Sequence, residues 1–446
     1  MTIPNAQSSL DSWIDWLLHL HAVEIDLGLE RVRQVAESMK ITRPAPLVIS
    51  VAGTNGKGSS VAMLVAILKA AGYNVGAYTS PHIQFFNERI QINGRPVDDR
   101  LIVDAFTLIE SARQQTKLTY FEFSTLAALA IFNQSDLDVV VLEVGLGGRL
   151  DAVNVVDADV ALITAIDIDH IEWLGDDRSV IATEKAGIMR SGKSAICSDG
   201  APPESLQAYA DHHSVPLTQF KRDFDLKKTE HDWSFCYADK AEFSAANDWL
   251  KVLPMPALKG EFQLQNAAGV IATLLTLKDQ LNISQSAVYT GLKQARHPGR
   301  LESFQINDQH WLVDVAHNPQ SAKALAEYLA EQSVGEQEPG YTAIFSVLND
   351  KDSLPMVQNV APFVKSWLIA DLAIPRATPV AQLHALLVQA GVQPENIQIK
   401  SSVEEAVGFA VDQPGEKMLV WGSFFTVAQV YESFDSLEYD MSKAHG

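Results

Sequence analysis

Short apolar runs alternate with segments of helical periodicity along most of the chain. After Pro44 and Pro46, Leu47-Val48-Ile49-Ser50-Val51-Ala52 is a compact apolar run with a β bias. Ser59 to Ala71 then places Val61, Met63, Leu64, Ile67 and Leu68 at helical intervals and stops at Gly72. A second strand is expected over Asn74 to Tyr78. Together these segments predict a βαβ unit with a glycine-rich turn at its first strand-to-helix junction. Upstream, Ser9 to Met39 carries Trp13, Trp16, Leu17 and Leu20 at helical spacing. Downstream, Asp138 to Glu143 and Asp159 to Thr164 are nearly continuous apolar runs, as strands buried on both faces of a parallel sheet require. Both end in residues with chemical potential, where ligands of open α/β sheets sit.

From about Ser191 to Pro256 the pattern weakens. Mixed polar and aromatic residues around His231 to Phe235 suggest short antiparallel strands and an insertion. A helix is expected over Asn266 to Lys278. His297-Pro298-Gly299-Arg300 is the best linker, because Pro-Gly breaks both regular structures. Beyond it, strands are expected over Trp311 to Val315, Tyr341 to Val347, Ser366 to Asp371, Ile397 to Lys400 and Lys417 to Trp421. The chain has 446 residues, more than one core usually supports. The expectation is an α/β fold with two domains. Residues 1–297 form a P-loop-containing, mainly parallel sheet domain, and residues 298–446 form a smaller Rossmann-like α/β domain.

Composition narrows the function classes. Hydrophobic residues make up 47% and charged residues 20%, the profile of an ordinary globular enzyme. The formal net charge of −21 argues against a nucleic-acid partner. It also repels anionic substrates, so local cations and helix N-termini must capture them. Cys197 and Cys236 are the only cysteines. Two in so long a chain make neither a disulfide framework nor a metal pair. Met1 to Leu10 lacks the basic-then-apolar order of a signal peptide, and no apolar run reaches the roughly 18 residues of a membrane span. A cytoplasmic protein without a membrane partner is expected.

The loop Gly53-Thr54-Asn55-Gly56-Lys57-Gly58-Ser59 is the strongest chemical signal. A phosphate cradle needs glycines so that backbone N–H groups converge on oxygens, a lysine for the β/γ-phosphates, and a hydroxyl near the metal. It also needs a following helix whose N-terminus favours anions. The spacing departs from the general P-loop: Val51 stands where a glycine is usual, and Gly58 separates Lys57 from Ser59. A bare glycine pair would read as an ordinary βα turn. Lys57, Ser59, strand and helix together favour phosphate binding, and Thr54, Asn55, Gly56, Lys57, Gly58 and Ser59 are the residues expected to hold the phosphates of ATP.

This form of the loop resembles the Mur ligase superfamily, and specifically the folylpolyglutamate synthase family. Further motifs carry the resemblance in family order. They include Ile25 to Val32, Tyr78-Thr79-Ser80-Pro81-His82, Thr119-Tyr120-Phe121-Glu122, Glu143 to Asp151 and Asp169-His170 with Trp173-Leu174-Gly175. Glu184 to Ile188, His297 to Arg300, Asp314 to Pro319 and Gly422-Ser423-Phe424 continue the series. The resemblance implies that Ser80, Glu143 and His170 hold Mg2+. It implies that Asn266, Arg300, Asp314 and His317 surround the nucleotide. Leu20 and His21, Thr119 to Glu122 (Thr119, Tyr120, Phe121, Glu122) and Leu150-Asp151-Ala152 match segments that hold the pterin substrate in bifunctional members. Lys57, His170 and Lys185 would be catalytic, Lys185 as a carbamate. Read singly, Glu143 is a strand-terminal carboxylate, His170 a core histidine, Phe121 a core aromatic, Arg300 a linker arginine and Lys185 a solvated lysine.

The implied reaction joins an acid to L-glutamate: ATP phosphorylates a carboxylate, and glutamate's α-amine displaces phosphate. The acids would be dihydropteroate and the γ-carboxylate of folate tails, and a monomer is expected. Two rivals remain. A Mur-type peptidoglycan ligase is disfavoured by Gly-Lys-Gly-Ser and by the Thr119 to Glu122 segment. A nucleotide-binding regulatory module is disfavoured by intact Lys57, Glu143, His170 and Lys185.

Overall fold

Leu47–Ala52 forms strand β1, buried at every position, as its unbroken apolar run requires. The chain turns through Gly53 and Gly56, at φ 155° and 91°, and enters the helix Lys57–Ala70. Gly56 is the N-cap, so the helix starts two residues before the apolar periodicity does. That helix lies between the sheet and the helix Gln285–Gln294. The two helices pack so closely that a Cβ on Gly291 would stand 2.5 Å from the Ile67 Cα.

The structure is a computed structural model and describes residues 2–21, 23, 25–237, 248–333 and 340–437. It divides into two units, Met1–Ala257 with Gln263–Arg296, and Leu258–Phe262 with His297–Gly446. In the first, β2 (Val75–Tyr78), β5 (Val139–Glu143), β1, β6 (Val160–Ile163), β7 (Ser194–Cys197) and β8 (Leu217–Gln219) run parallel in that order. The antiparallel strands β3 (Ile90–Ile92) and β4 (Arg95–Pro96) extend the β2 edge. Val51 pairs with Glu143, Ala52 with Ile163 and Tyr78 with Leu142. The carboxyl ends of β2, β5, β1 and β6 therefore stand side by side.

The Ser9 to Met39 stretch forms two helices, Leu10–Leu18 and Glu30–Met39. The Ser9 hydroxyl caps the first, which buries Leu10, Trp13, Trp16 and Leu17. Leu20 and His21 lie in the connection.

The segment from Ser191 to Pro256 corrects the sequence reading in part. β7, the helix Glu204–His212 and β8 continue the parallel sheet to its edge. Only β9 (Phe224–Lys228), β10 (Asp232–Tyr237) and β11 (Leu253–Pro254) form a separate antiparallel sheet. Residues 238–247 of this segment lie outside the described residues.

In the second unit β12 (Glu302–Ile306) pairs antiparallel with β13 (Gln309–Val313). β17 (Lys417–Trp421), β14 (Tyr341–Phe345), β15 (Val364–Ile369) and β16 (Ile397–Ile399) follow in parallel. Its core gathers Leu312, Phe345, Trp367, Leu419 and Trp421, all buried. Both units are α/β layers around largely parallel sheets, as the alternation of patterns predicts.

Candidate active site

The phosphate loop is fixed from the neighbouring strand. Thr54 donates its N–H to the Ala165 carbonyl and its hydroxyl to the Asp167 carbonyl, at 2.6 and 2.8 Å. The Thr164 hydroxyl donates to the Asn55 carbonyl at 2.7 Å. A Cβ on Gly53 would fall 1.8 Å from the Thr164 Oγ1, so any side chain there would force Thr164 out of its place against the loop. Lys57 folds back over the loop, its Nζ 3.1 Å from the carbonyl oxygens of Gly53 and Thr54. Beneath the loop, Gln263 donates to the Ser59 hydroxyl and Asn266 donates to Gln263, both at 3.0 Å. Asn266 also fills the space beside Gly56, where a Cβ would lie 2.5 Å from its Oδ1.

The adjacent strand ends bring further groups. Ser80 follows β2 and donates its N–H to the buried Glu143 carboxylate at 3.3 Å. His170 follows β6 in the left-handed region, φ 53°, at the start of the short helix Ile171–Leu174. Non-glycine residues rarely adopt that conformation, and it recurs at functional sites. Lys185, on the helix Arg178–Ala186, is only 3% exposed, which rules out the solvated-lysine reading. Burial first, then the Lys57 ammonium, holds its pKa down to about 7, against the opposing carboxylates of Asp169 and Asp151. Burial pushes Asp151 up to about 6, offset by N–H donors from Leu146, Val153 and Gly145 and by Lys57. Lys57, Asp151, Asp169 and Lys185 thus share one electrostatic neighbourhood. Gly148 lets the intervening loop lie on the Lys185 helix, since a Cβ there would meet the Glu184 carbonyl at 2.7 Å.

The Thr119 to Glu122 segment starts a buried helix, Tyr120–Gln134, with a reciprocal capping box. The Glu122 carboxylate accepts from the Thr119 N–H at 2.8 Å and pairs with Arg31 Nε at 2.8 Å. Arg31 pairs with Asp26 at 2.7 Å, and Asp26 lies 3.6 Å from His21. This chain ties the Leu20–His21 connection to the cap, so Glu122 is occupied as a structural group. Tyr120 and Phe121 are partly buried. A Cβ on Gly145 would stand 2.6 Å from the Phe121 ring, so that ring covers the loop after β5. Leu150 is half-buried, and Asp151 caps the short turn Ala152–Val155 by accepting from Val153 N–H at 2.9 Å. Arg89 is buried beside Tyr120, its Cζ 5.3 Å from the ring centre, and its Nε donates to His82 Nδ1 at 2.8 Å. Burial, then Arg89, pushes His82 down to about 3.

The second unit supplies its own group. Asp314 follows β13 and accepts from the N–H groups of Leu301 and Ala316, both at 2.8 Å. Burial pushes its carboxyl up, opposed by Arg300. The Arg300 guanidinium lies 4.9 Å from the Phe424 ring centre, and His317 lies 5.6 Å from the same ring. Arg300, Asp314 and His317 therefore form one cluster around the start of the helix Phe424–Ser436.

Comparison with known proteins decides what these groups belong to. Residues 51–274 match the Mur ligase middle domain, and residues 299–424 match the Mur ligase glutamate ligase domain. The dihydrofolate synthase/folylpolyglutamate synthase of Escherichia coli is 40% identical over 438 residues, covering 97% of each chain. The chain belongs to the dihydrofolate synthase/folylpolyglutamate synthase family of Mur ligases. Solved structures agree. One is E. coli FolC in complex with DHPP and ADP, at 39% identity and TM-score 0.87, covering 98% of this chain and 100% of that one. Another is a bifunctional synthase with Mn, AMPPNP and L-glutamate bound, at 37% identity and TM-score 0.85, with the same coverage.

A divalent cation suits the donor set of this family ligase. The Ser80 hydroxyl and the buried Glu143 carboxylate are oxygen donors of the kind a divalent cation takes, and nucleotide oxygens would supplement them. Among the described residues no group of three His, Cys, Asp or Glu has metal-holding geometry; Ser80, Glu143 and His170 include only two residues of those types. Two groups escaped the sequence reading, Gln263 and Arg89. Gln263 acts on Ser59 from 204 residues away. Arg89 shows its character only through burial.

Proposed function

We propose that this chain is an ATP-dependent ligase that joins L-glutamate to dihydropteroate and to the γ-carboxylate of folate glutamate tails, through an acyl phosphate. The observation that carries the reading is the placement of Lys57, Ser80 and Glu143 at the carboxyl ends of adjacent parallel strands, with Lys57 and a buried Lys185 sharing one electrostatic neighbourhood.

The loop N–H groups and the Lys57 ammonium hold the β- and γ-phosphates and offset their charge. A carboxylate oxygen of the acceptor attacks the γ-phosphorus, and ADP leaves with the electrons of the broken P–O bond. The α-amine of glutamate then adds to the acyl carbon. The tetrahedral adduct collapses, phosphate leaves, the amine proton is lost and an amide remains. The protein's part is positioning and charge neutralisation. Ser80, Glu143 and His170 would hold Mg2+, which when bound supplies Lewis-acid stabilisation of the migrating phosphoryl group. Arg300 offers a planar cation to phosphate oxygens, with Asp314, His317 and Asn266 as nucleotide contacts. Leu20, His21, Tyr120, Phe121, Leu150 and Ala152 form the acceptor side, where Thr119, Glu122 and Asp151 shape the backbone.

Lys185 acts as a carbamate. Its neutral amine adds to CO2, forming a C–N bond and releasing a proton, and a cation becomes an anion with two oxygens. Burial favours this by depressing the pKa to about 7. The enzyme works in the cytoplasm as a monomer, and both of its cysteines are free, as a reducing compartment keeps them. No helix among the described residues is long and apolar enough to cross a membrane. Phosphate release tests the reading. It should require dihydropteroate or a tetrahydrofolate together with glutamate. Release independent of any acceptor would contradict it.

A further inference from the structure

Arg89 ends the short turn Phe86–Arg89 and is only 7% exposed, yet no carboxylate among the described residues pairs with it. Its Nε–H donates to His82 Nδ1 at 2.8 Å, which fixes that imidazole as the neutral Nε2–H tautomer. The guanidinium lies 5.8 Å from the Phe86 ring centre and 5.3 Å from that of Tyr120. Its Nη groups have no hydrogen-bond partner among the described residues. The nearest acid in sequence is committed elsewhere. Glu88 accepts from the N–H groups of Ile83, Gln84 and Phe85, at 2.8, 2.8 and 2.7 Å.

Ring faces and one neutral nitrogen compensate part of the desolvation of a buried cation, but they supply no charge. An isolated buried guanidinium is therefore costly unless an anion arrives. Its planar fork matches a carboxylate in a bidentate grip. Its place in the fold selects which one. The Arg89 carbonyl accepts from the Thr79 N–H at 2.9 Å, immediately before Ser80. The guanidinium faces Tyr120, in the acceptor segment. It thus stands between the residues of the phosphate side and those of the acceptor side.

We propose that Arg89 binds the reacting carboxylate of the acceptor acid, an inference that rests on the acceptor reading of Thr119 to Glu122 given above. ATP's charges are taken by the loop, by Lys57 and by the cation that Ser80 and Glu143 would hold. The carboxylate to be phosphorylated is the anionic group that dihydropteroate and folate tails have in common. A bidentate grip uses one lone pair on each oxygen and leaves another on each for attack on phosphorus. His82 holds the guanidinium without adding a competing charge.

Equilibrium binding of pteroate and of its uncharged carboxamide, measured by calorimetry without ATP or glutamate, tests this. The wild-type chain should bind the acid about tenfold or more tightly than the amide. Arg89→Gln should bind both alike, at the wild-type affinity for the amide, and Arg89→Lys should recover part of the preference. A variant that keeps the full preference for the acid overturns the proposal. So does equal weakening of both ligands, which a merely structural role would produce. A wild-type chain that binds both ligands without preference overturns the role of Arg89 alone. One that binds neither overturns the acceptor reading and this proposal with it.

Discussion

Lys57 donates to the carbonyls of Gly53 and Thr54 at 3.1 Å, so phosphate oxygens must draw the ammonium away from these neutral acceptors. That exchange is favourable, because a charge-assisted bond to phosphate is stronger. Lys57→Ala should lower kcat by roughly 100- to 1,000-fold, the scale of a lost transition-state charge contact, with the melting temperature kept. Steady-state kinetics beside a thermal melt checks this. A variant within a few-fold of wild type would remove Lys57 from the mechanism. At Lys185 the same neighbourhood acts on a proton. With its pKa depressed to about 7, the amine is largely neutral above that pH and protonated below it. Only the neutral amine adds CO2, so carbamate occupancy should fall as pH drops through about 7. Carbon-13 NMR after bicarbonate labelling should show a carbamate signal at pH 8 that fades by pH 6. A signal unchanged across this range, or absent at pH 8 in active enzyme, would contradict the assignment.

At the scale of elements, Glu122 belongs to the capping box of the helix Tyr120–Gln134 and to the ion pair with Arg31. Glu122→Ala should therefore reduce stability by about 1–2 kcal/mol in denaturant unfolding, the cost of a lost cap. It should also raise the acceptor KM through loosening of Tyr120 and Phe121. An unchanged unfolding midpoint would show that the box carries no stability. β1 and β17 could be read from sequence to the residue, since each is a continuous apolar run between breakers. β7 and β8 could not. β8 lies at the sheet edge with β7 beside it, Ser194, Leu217 and Thr218 are only half-buried, and the long apolar run that marks a central strand is missing. Ser80 and Glu143 stand out only through the family resemblance, since Glu143 read singly is a strand-terminal carboxylate; the loop was legible by itself, from its glycines, Lys57 and Ser59 between a strand and a helix. Gln263 and Arg89 were not, because each acquires its role from distant packing.

For the molecule as a whole, a net charge of −21 has to coexist with anionic substrates. Both units meet that demand locally. The first buries Arg89 near the strand ends and turns Lys57 onto the phosphate loop. The second places Arg300 against Phe424 beside Asp314 and His317. The central claim is that the acceptor's carboxylate is phosphorylated before glutamate adds. It is tested by incubating the protein with ATP, Mg2+, L-glutamate and dihydropteroate labelled with oxygen-18 in its carboxylate. The account predicts dihydrofolate as product, with one labelled oxygen in each phosphate released, because the oxygen that attacks phosphorus leaves with it. Unlabelled phosphate, or no glutamylated product, would contradict it.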